Sequence, residues 1–253
     1  MSEEPYLISI VTPVYNAAAY IFETAESVLS QTYKNWEWIL VDDCSADESY
    51  MLLRQLAERD PRIHVFRNQQ NSKAFATRNN CLKRVKGTFI AFLDADDLWA
   101  THKLQSQLRF MLAHQHAITY TAFKRFVASP GESVKDVNVP MTATYSSIIC
   151  NNYIATSTVM IDVRLTGTFT MQNVYYDDFT LWLELLRRVQ MAFGLNEFLM
   201  FYRLSENSLS RNKIKSAVKV YEMFTKKMNF GFFKSRILFI RWVINTTKRY
   251  LFE

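Results

Sequence analysis

Through the first hundred positions, short apolar runs take turns with stretches whose apolar residues recur every three or four positions. The run LISIV (7–11) has the unbroken hydrophobicity of a buried strand, and residues 18–31 place Ile21, Ala25, Val28 and Leu29 on one face of a helix. WEWILV (36–41), IHVF (63–66) and TFIAFL (88–93) predict three more strands. Between them, Ser45-Ala46-Asp47-Glu48 has the S-x-x-E form of a capping box ahead of a helix carrying Met51, Leu52 and Leu56, and residues 73–85 read as a third helix. Strand and helix in alternation predict an α/β fold with a mostly parallel sheet, right-handed crossovers and helices on both faces.

Beyond residue 100 the pattern loosens. A helix over 101–115 carries Leu104, Leu108, Met111 and Leu112, and ITYTAF (118–123), STVMID (157–162) and FLMFYR (198–203) read as strands. DFTLWLELLRRV (178–189) reads as a helix, and the turn formers of residues 128–140, ASPGESVKDVNVP, as a long surface loop.

Open α/β sheets bind ligands beyond the carboxyl ends of their strands. Three predicted strands end there in polar residues: Thr12-Pro13-Val14-Tyr15-Asn16, Asp42-Asp43, and Asp94-Ala95-Asp96-Asp97. Acids one residue apart on a turn can offer oxygen to the same cation, and Mg²⁺ and Mn²⁺ favour such ligands while keeping positions for phosphates. The same acids suit the head of a following helix, so spacing alone leaves both roles open.

Composition narrows the class. The chain has 253 residues, 49% of them hydrophobic, which is ample for a core, but only 5 glycines. It holds neither GxGxxG nor GxxxxGK[ST], which argues against a Rossmann dehydrogenase or a P-loop kinase. Cys44, Cys81 and Cys150 have no CxxC spacing and fit a reducing compartment; the acids of MSEEPYLISI are unlike a signal peptide, so export is not expected. Residues 211–253 hold eleven Lys or Arg against two acids, a net +9 that leaves −3 for residues 1–210 within the total of +6. The basic character therefore belongs to the tail, and nucleic acid is not the expected partner.

In order and spacing, ISIVTPVYN, ILVDDCSAD, the Arg78-Asn79 pair and FIAFLDADDLW resemble the family 2 glycosyltransferases of the GT-A fold, over roughly residues 5–210. The resemblance implies a catalytic domain over 1–210, with a nucleotide-binding half (1–100) and an acceptor-binding half (101–210), followed by a helical extension over 211–253. It implies that Pro13, Tyr15 and Asp43 hold the base and ribose of a nucleotide sugar and that Arg78 lies beside the nucleotide. Asp94 and Asp96 match the DxD pair, Asp96 as the direct ligand of Mn²⁺ or Mg²⁺ and Asp94 nearer the ribose. Asp177-Asp178 with Leu181-Trp182 resembles the family's ED-x-x-LW element, which makes Asp178 the general base of an inverting single displacement. On the residues alone, Asp43 equally suits capping the helix that follows, Arg78 pairing with a nearby acid, and the Asp177-Asp178 pair the head of a helix. The helix N-terminus also lowers a carboxylate's basicity, so the base role requires neighbours that restore it. Many relatives carry histidine where this chain has Ser205, and the four histidines (His64, His102, His114, His116) show no ligand spacing.

The narrower likeness is to bacterial enzymes of cell-surface polysaccharide assembly, of teichuronic-acid and O-antigen type. It implies a UDP-sugar donor, with dTDP and GDP as alternatives, and a glycan acceptor. Bulky apolar residues mixed with the bases of 211–253 suit either a hairpin packed on the domain or a helix lying in an anionic membrane interface, with Trp242 and several Phe entering the acyl boundary. The second arrangement suits a lipid-linked acceptor and a cytoplasmic enzyme peripheral on the inner face of the plasma membrane. Rival readings are a nucleotidyltransferase, which should show a Gly-rich basic loop where this chain has TPVYNAAAY, and a non-catalytic nucleotide-sugar-binding subunit of a synthase.

Overall fold

In chain order the elements are β1 (Ile8–Val14), α1 (Ile21–Leu29), β2 (Trp36–Asp42), α2 (Ser49–Arg59), β3 (Ile63–Arg67), α3 (Lys73–Leu82), β4 (Phe89–Phe92), β5 (Leu98–Trp99) and α4 (Lys103–His114). There follow β6 (Ile118–Phe126), β7 (Ser133–Val137), β8 (Thr142–Thr144), α5 (Tyr145–Ile148), a 3-10 turn (Thr156–Thr158), β9 (Met160–Asp162), α6 (Val163–Thr166), α7 (Asp177–Val189), β10 (Met191–Arg203), α8 (Lys213–Glu222) and α9 (Phe232–Phe252). The structure, a computed structural model, describes residues 5–204, 213–228 and 230–252.

The strands form one sheet in the order β3-β2-β1-β4-β9-β6-β10-β5, with β7 paired to β6 and β8 to β10. β1 is parallel to β2 and β4, and β2 to β3. Because β9 is antiparallel to both β4 and β6, β6 runs the same way as β4, and β10 is parallel to β6. Six of the eight strands on this path therefore share a direction. β2 is buried along its whole length, which explains its unbroken WEWILV run. The price of its one mid-strand acid is met by Ser9 Oγ and the Lys86 backbone N–H, each donating to Glu37 Oε1 at 2.6 Å.

Alternate residues of each strand feed two cores. Val11, Ile39 and Phe92 join a cluster with Cys81 of α3, Trp182 of α7, and Val220 and Leu238 of the C-terminal helices. Ile10, Leu40 and Ala91 face the other way, against Ala25 of α1, Leu53 of α2 and Leu104 of α4. The extension thus contributes to the larger core, and Trp242 packs toward that cluster rather than outward.

Several boundaries differ from the pattern-based expectation. The Ser45–Glu48 capping box does not form: α2 begins at Ser49, Ser45 Oγ accepts from the Asn16 backbone N–H (3.0 Å), and Asp47 Oδ1 takes the Ser49 N–H (3.0 Å) instead. That start buries Leu53 and Leu56 and leaves Met51 exposed. The expected loop 128–140 contains β7, whose alternating half-exposed residues pair with the edge of β6. β10 begins seven residues before the expected 198, because register shifts around Leu195 and Phe198 carry Asn196 and Glu197 through the strand as an irregularity that breaks the apolar run. β9 is shorter than the expected 157–162 strand, since Thr156–Thr158 coil into the 3-10 turn.

Candidate active site

The parallel register brings the predicted polar strand ends to one edge. Val14 lies opposite Asp42, and the Asp43 N–H donates to the Val14 carbonyl at 2.7 Å. Pro13 is half-buried just before it, and the Tyr15 ring is 54% exposed beyond the strand end. Asn16 takes a left-handed backbone (φ 49°), an option open to asparagine, and its Oδ1 accepts from the Ala46 N–H at 2.9 Å, so the β1 and β2 loops brace each other. Asp43 is 3% exposed and does not cap α2. Its Oδ1 takes Asn68 Nδ2 and the Ser72 N–H, both at 2.7 Å, which fixes the carboxyl against the head of α3.

The acid loop after β4 is held from three sides. Thr24 of α1 donates its hydroxyl to the Ala95 carbonyl at 2.9 Å. Ser157, in the 3-10 turn, accepts from the Asp94 N–H (3.0 Å) and donates to Asp97 Oδ2 (2.6 Å). Arg203, at the end of β10, gives its Nε to the Asp96 carbonyl (3.0 Å), its backbone N–H to Asp97 Oδ1 (3.2 Å) and its Nη2 to Glu23 Oε2 (2.5 Å). Asp97 therefore serves the architecture of the loop, while Asp94 and Asp96 remain partly open to solvent.

Burial and the adjacent Asp94 charge push the Asp96 carboxyl up to about 6, and burial beside Asp96 and Asp94 raises Asp97 well above the usual carboxylate range. Among the described residues no group of three His, Cys, Asp or Glu side chains could hold a metal ion. The donor set still fits a hard divalent cation that completes its shell with phosphate and water: two carboxylates one residue apart, one of them held at a raised pKa by burial and its neighbour. Ser205 lies outside the described residues.

Arg78 of α3 joins this loop to α7. It is 8% exposed, with Nη2 on Asp94 Oδ1 at 2.6 Å and Nη1 on Asp177 Oδ2 at 3.0 Å. Two carboxylates hold it charged against burial. Arg78 thus pairs with acids, as the residues alone allow, and one of them belongs to the loop after β4. Asp178, the next residue, is partly buried; its Oδ2 accepts from the Thr156 hydroxyl (2.9 Å) and its Oδ1 from the Phe179 N–H (2.7 Å). Burial, then the charge of Asp177, raise its pKa, opposed by Arg78 and by those two hydrogen bonds. The neighbours thus restore the basicity that a helix N-terminus takes away.

Sequence patterns missed Thr156, Ser157, Arg203 and the bridging use of Asp177. Their only trace was the Thr-Ser-Thr cluster ahead of VMID and an arginine closing an apolar strand.

The family model described as glycosyl transferase family 2 matches residues 9–169. A Bacillus subtilis (strain 168) protein, the putative teichuronic acid biosynthesis glycosyltransferase TuaG, is 39% identical over 97% of this chain and 98% of its own length. The Escherichia coli UDP-Glc:alpha-D-GlcNAc-diphosphoundecaprenol beta-1,3-glucosyltransferase WfgD is 34% identical over 87% of this chain and 86% of its own. In fold the chain is similar to S. aureus TarS 1-349 in complex with UDP-GlcNAc, with a TM-score of 0.68 at 17% identity over 93% of this chain and 71% of that one. The mannosyltransferase PcManGT from Pyrobaculum calidifontis, in complex with GDP-Man and Mn²⁺, gives a TM-score of 0.67 at 16% identity over 88% of this chain and 64% of that one. The fold is GT-A, and the chain belongs to glycosyl transferase family 2 and is a glycosyltransferase.

Proposed function

We propose that the chain moves a sugar from a UDP-sugar to a hydroxyl of a growing, lipid-linked cell-surface glycan by a single displacement that inverts the anomeric carbon. The observation that carries this reading is the junction at Arg78, which ties Asp94 of the acid loop to Asp177, the neighbour of Asp178. Donor end and base end are thereby held as one rigid cluster. The names of the E. coli and B. subtilis relatives support a UDP-sugar and a polysaccharide or lipid-linked acceptor.

In the reaction, Tyr15 offers a flat face to the base and Pro13 lines the same strand end. Asp43, oriented by Asn68 and Ser72, accepts from the base's imide N–H. Asp96 and Asp94 would hold Mn²⁺ or Mg²⁺, which when bound screens the diphosphate and stabilises the charge of the departing nucleotide. Arg78 fixes the Asp94 carboxylate and adds positive charge behind it. Asp178 takes the proton of the acceptor hydroxyl as that oxygen attacks from the face opposite the nucleotide. Its two hydrogen bonds orient the carboxylate, and its raised basicity suits proton abstraction near neutral pH.

Residues 1–210 form the catalytic unit, 1–100 serving the donor and 101–210 the acceptor, and 211–253 the basic extension. A lipid-linked acceptor calls for a cytoplasmic enzyme working at the anionic inner face of the plasma membrane, approached through that extension. Thermal-shift screening of nucleotide sugars with and without Mn²⁺ tests the donor. Asp178→Asn should keep donor binding and lose about 10²–10⁴-fold in transfer; full activity of that variant rejects Asp178 as the base.

A further inference from the structure

Helix α9 is apolar on two opposite sides. On one, Ser235 and Leu238 are buried, Phe239 and Trp242 pack on the larger core, and Asn245 Nδ2 donates to the Cys150 carbonyl at 3.2 Å. At about 100° per residue, Phe233, Ile237, Ile240 and Ile244 fall within an arc of roughly 60° on the reverse side. They are 80, 54, 57 and 47% exposed. A helix that had only to face water would carry polar residues there.

Bases frame this stripe. Lys234 and Arg241 lie along one flank and Arg236 along the other, while residues 232–247 contain no Asp or Glu. The Arg236 guanidinium lies 4.1 Å over the Phe232 ring, so its stem covers apolar surface while its charge stays outward. Among the described residues no helix is long and apolar enough to cross a membrane.

We propose that the outward stripe Phe233-Ile237-Ile240-Ile244 is a docking face for an anionic lipid bilayer, with α9 lying flat in the interface while its inner side stays on the domain. This rests on the reading of an enzyme that works on lipid-linked glycans, and it reassigns the inserted residues: the isoleucines and Phe233 enter, and Trp242 does not. Charge selects lipid over a second copy of the chain. Two α9 stripes face to face would bring Lys234, Arg236 and Arg241 against their own counterparts with no acid on the helix to answer them, whereas anionic headgroups answer each base and favour binding by roughly fivefold per charge. α9 shares its side of the sheet with α7, whose first turn carries Asp178, so docking brings the acceptor side of the site toward the bilayer.

The test is flotation of the full chain with phosphatidylcholine vesicles, with and without about a third phosphatidylglycerol. Transfer to a water-soluble acceptor is measured on the same samples. The wild type should float with the anionic vesicles, Phe233→Ser/Ile240→Ser and Arg236→Glu/Arg241→Glu should each weaken that binding at least tenfold, and soluble transfer should be unchanged in both. Undiminished flotation of Phe233→Ser/Ile240→Ser overturns the docking face, as does a wild type that ignores anionic vesicles and instead forms a dimer that these substitutions dissolve. Absence of soluble transfer by the wild type would instead count against the catalytic reading, whatever the vesicles show.

Discussion

Replacing Asp96 with asparagine should make the metal-free protein more stable at neutral pH. Burial and the Asp94 charge raise the Asp96 pKa from 3.8 to about 6. Each unit corresponds to 1.36 kcal/mol, so the ionised side chain costs the fold at most about 3 kcal/mol, and screening at this partly open position reduces that to about 1–2 kcal/mol. The bond that anchors the residue is accepted by its backbone carbonyl from Arg203 Nε, so asparagine keeps it. The sign follows from linkage. A carboxyl whose folded pKa is raised contributes stability that is complete below its unfolded pKa and is lost as pH climbs through the folded value. The wild type should therefore lose this increment between about pH 4 and pH 6, and Asp96→Asn should not.

Thermal unfolding in EDTA reads the difference. For a chain of this size about 1–2 kcal/mol corresponds to roughly 2–8 °C, with the variant higher at pH 7.5 and the two coincident near pH 4. Adding Mn²⁺ with a nucleotide diphosphate at pH 7.5 should raise the wild type and close the gap, because bound ligand stabilises only the protein that binds it. A variant no more stable than wild type at pH 7.5, or a gap of equal size at pH 4, would refute the picture of a carboxylate held at an electrostatic cost.

Two substitutions test the base end. Thr156→Val removes the hydroxyl that donates to Asp178, one of the groups holding its pKa down; the acid limb of the kcat/KM–pH profile should move to higher pH while the plateau rate changes little, and an unmoved limb counts against Asp178 as the base. Arg78→Lys puts one ammonium where a guanidinium spans two carboxylates, leaving Asp94 or Asp177 unanswered; urea unfolding should show a loss of about 3 kcal/mol, and unchanged stability would show that the bridge does not matter.

The β-α alternation of the first half was legible because parallel strands buried on both faces leave unbroken apolar runs such as ILV and FIAF, and because the acids follow those runs directly. The second half was less legible where tertiary pairing overrides local pattern. β7 is a half-exposed edge strand whose Pro-Gly neighbourhood reads as loop, and β10 runs past Asn196 and Glu197 because β6 pairs with it on both sides of them while β8 pairs with its first three residues. The acids were visible as residues, but their distinct environments were not. Nothing in LDADD says that Asp97 faces Ser157 and the Arg203 backbone while Asp96 stays partly open to solvent, because those partners lie 60 and 106 residues away in the chain.

That division of labour also bears on how the proposed donor would be gripped. Asp94, Asp96, Asp97, Asp177 and Asp178 share one cluster with two buried guanidiniums, Arg78 and Arg203, and Arg203 also answers Glu23. The cluster is therefore short of positive charge, and the raised pKa values at Asp96, Asp97 and Asp178 come from burial first and from neighbouring carboxylates second. A rigid loop pinned by Thr24, Ser157 and Arg203 cannot relieve the repulsion by moving its carboxylates apart. A divalent cation held by Asp94 and Asp96 would relieve it instead, whereas the donor's diphosphate is itself negative and would add to it, so in the proposed reaction the donor should bind with or after the metal and not before it.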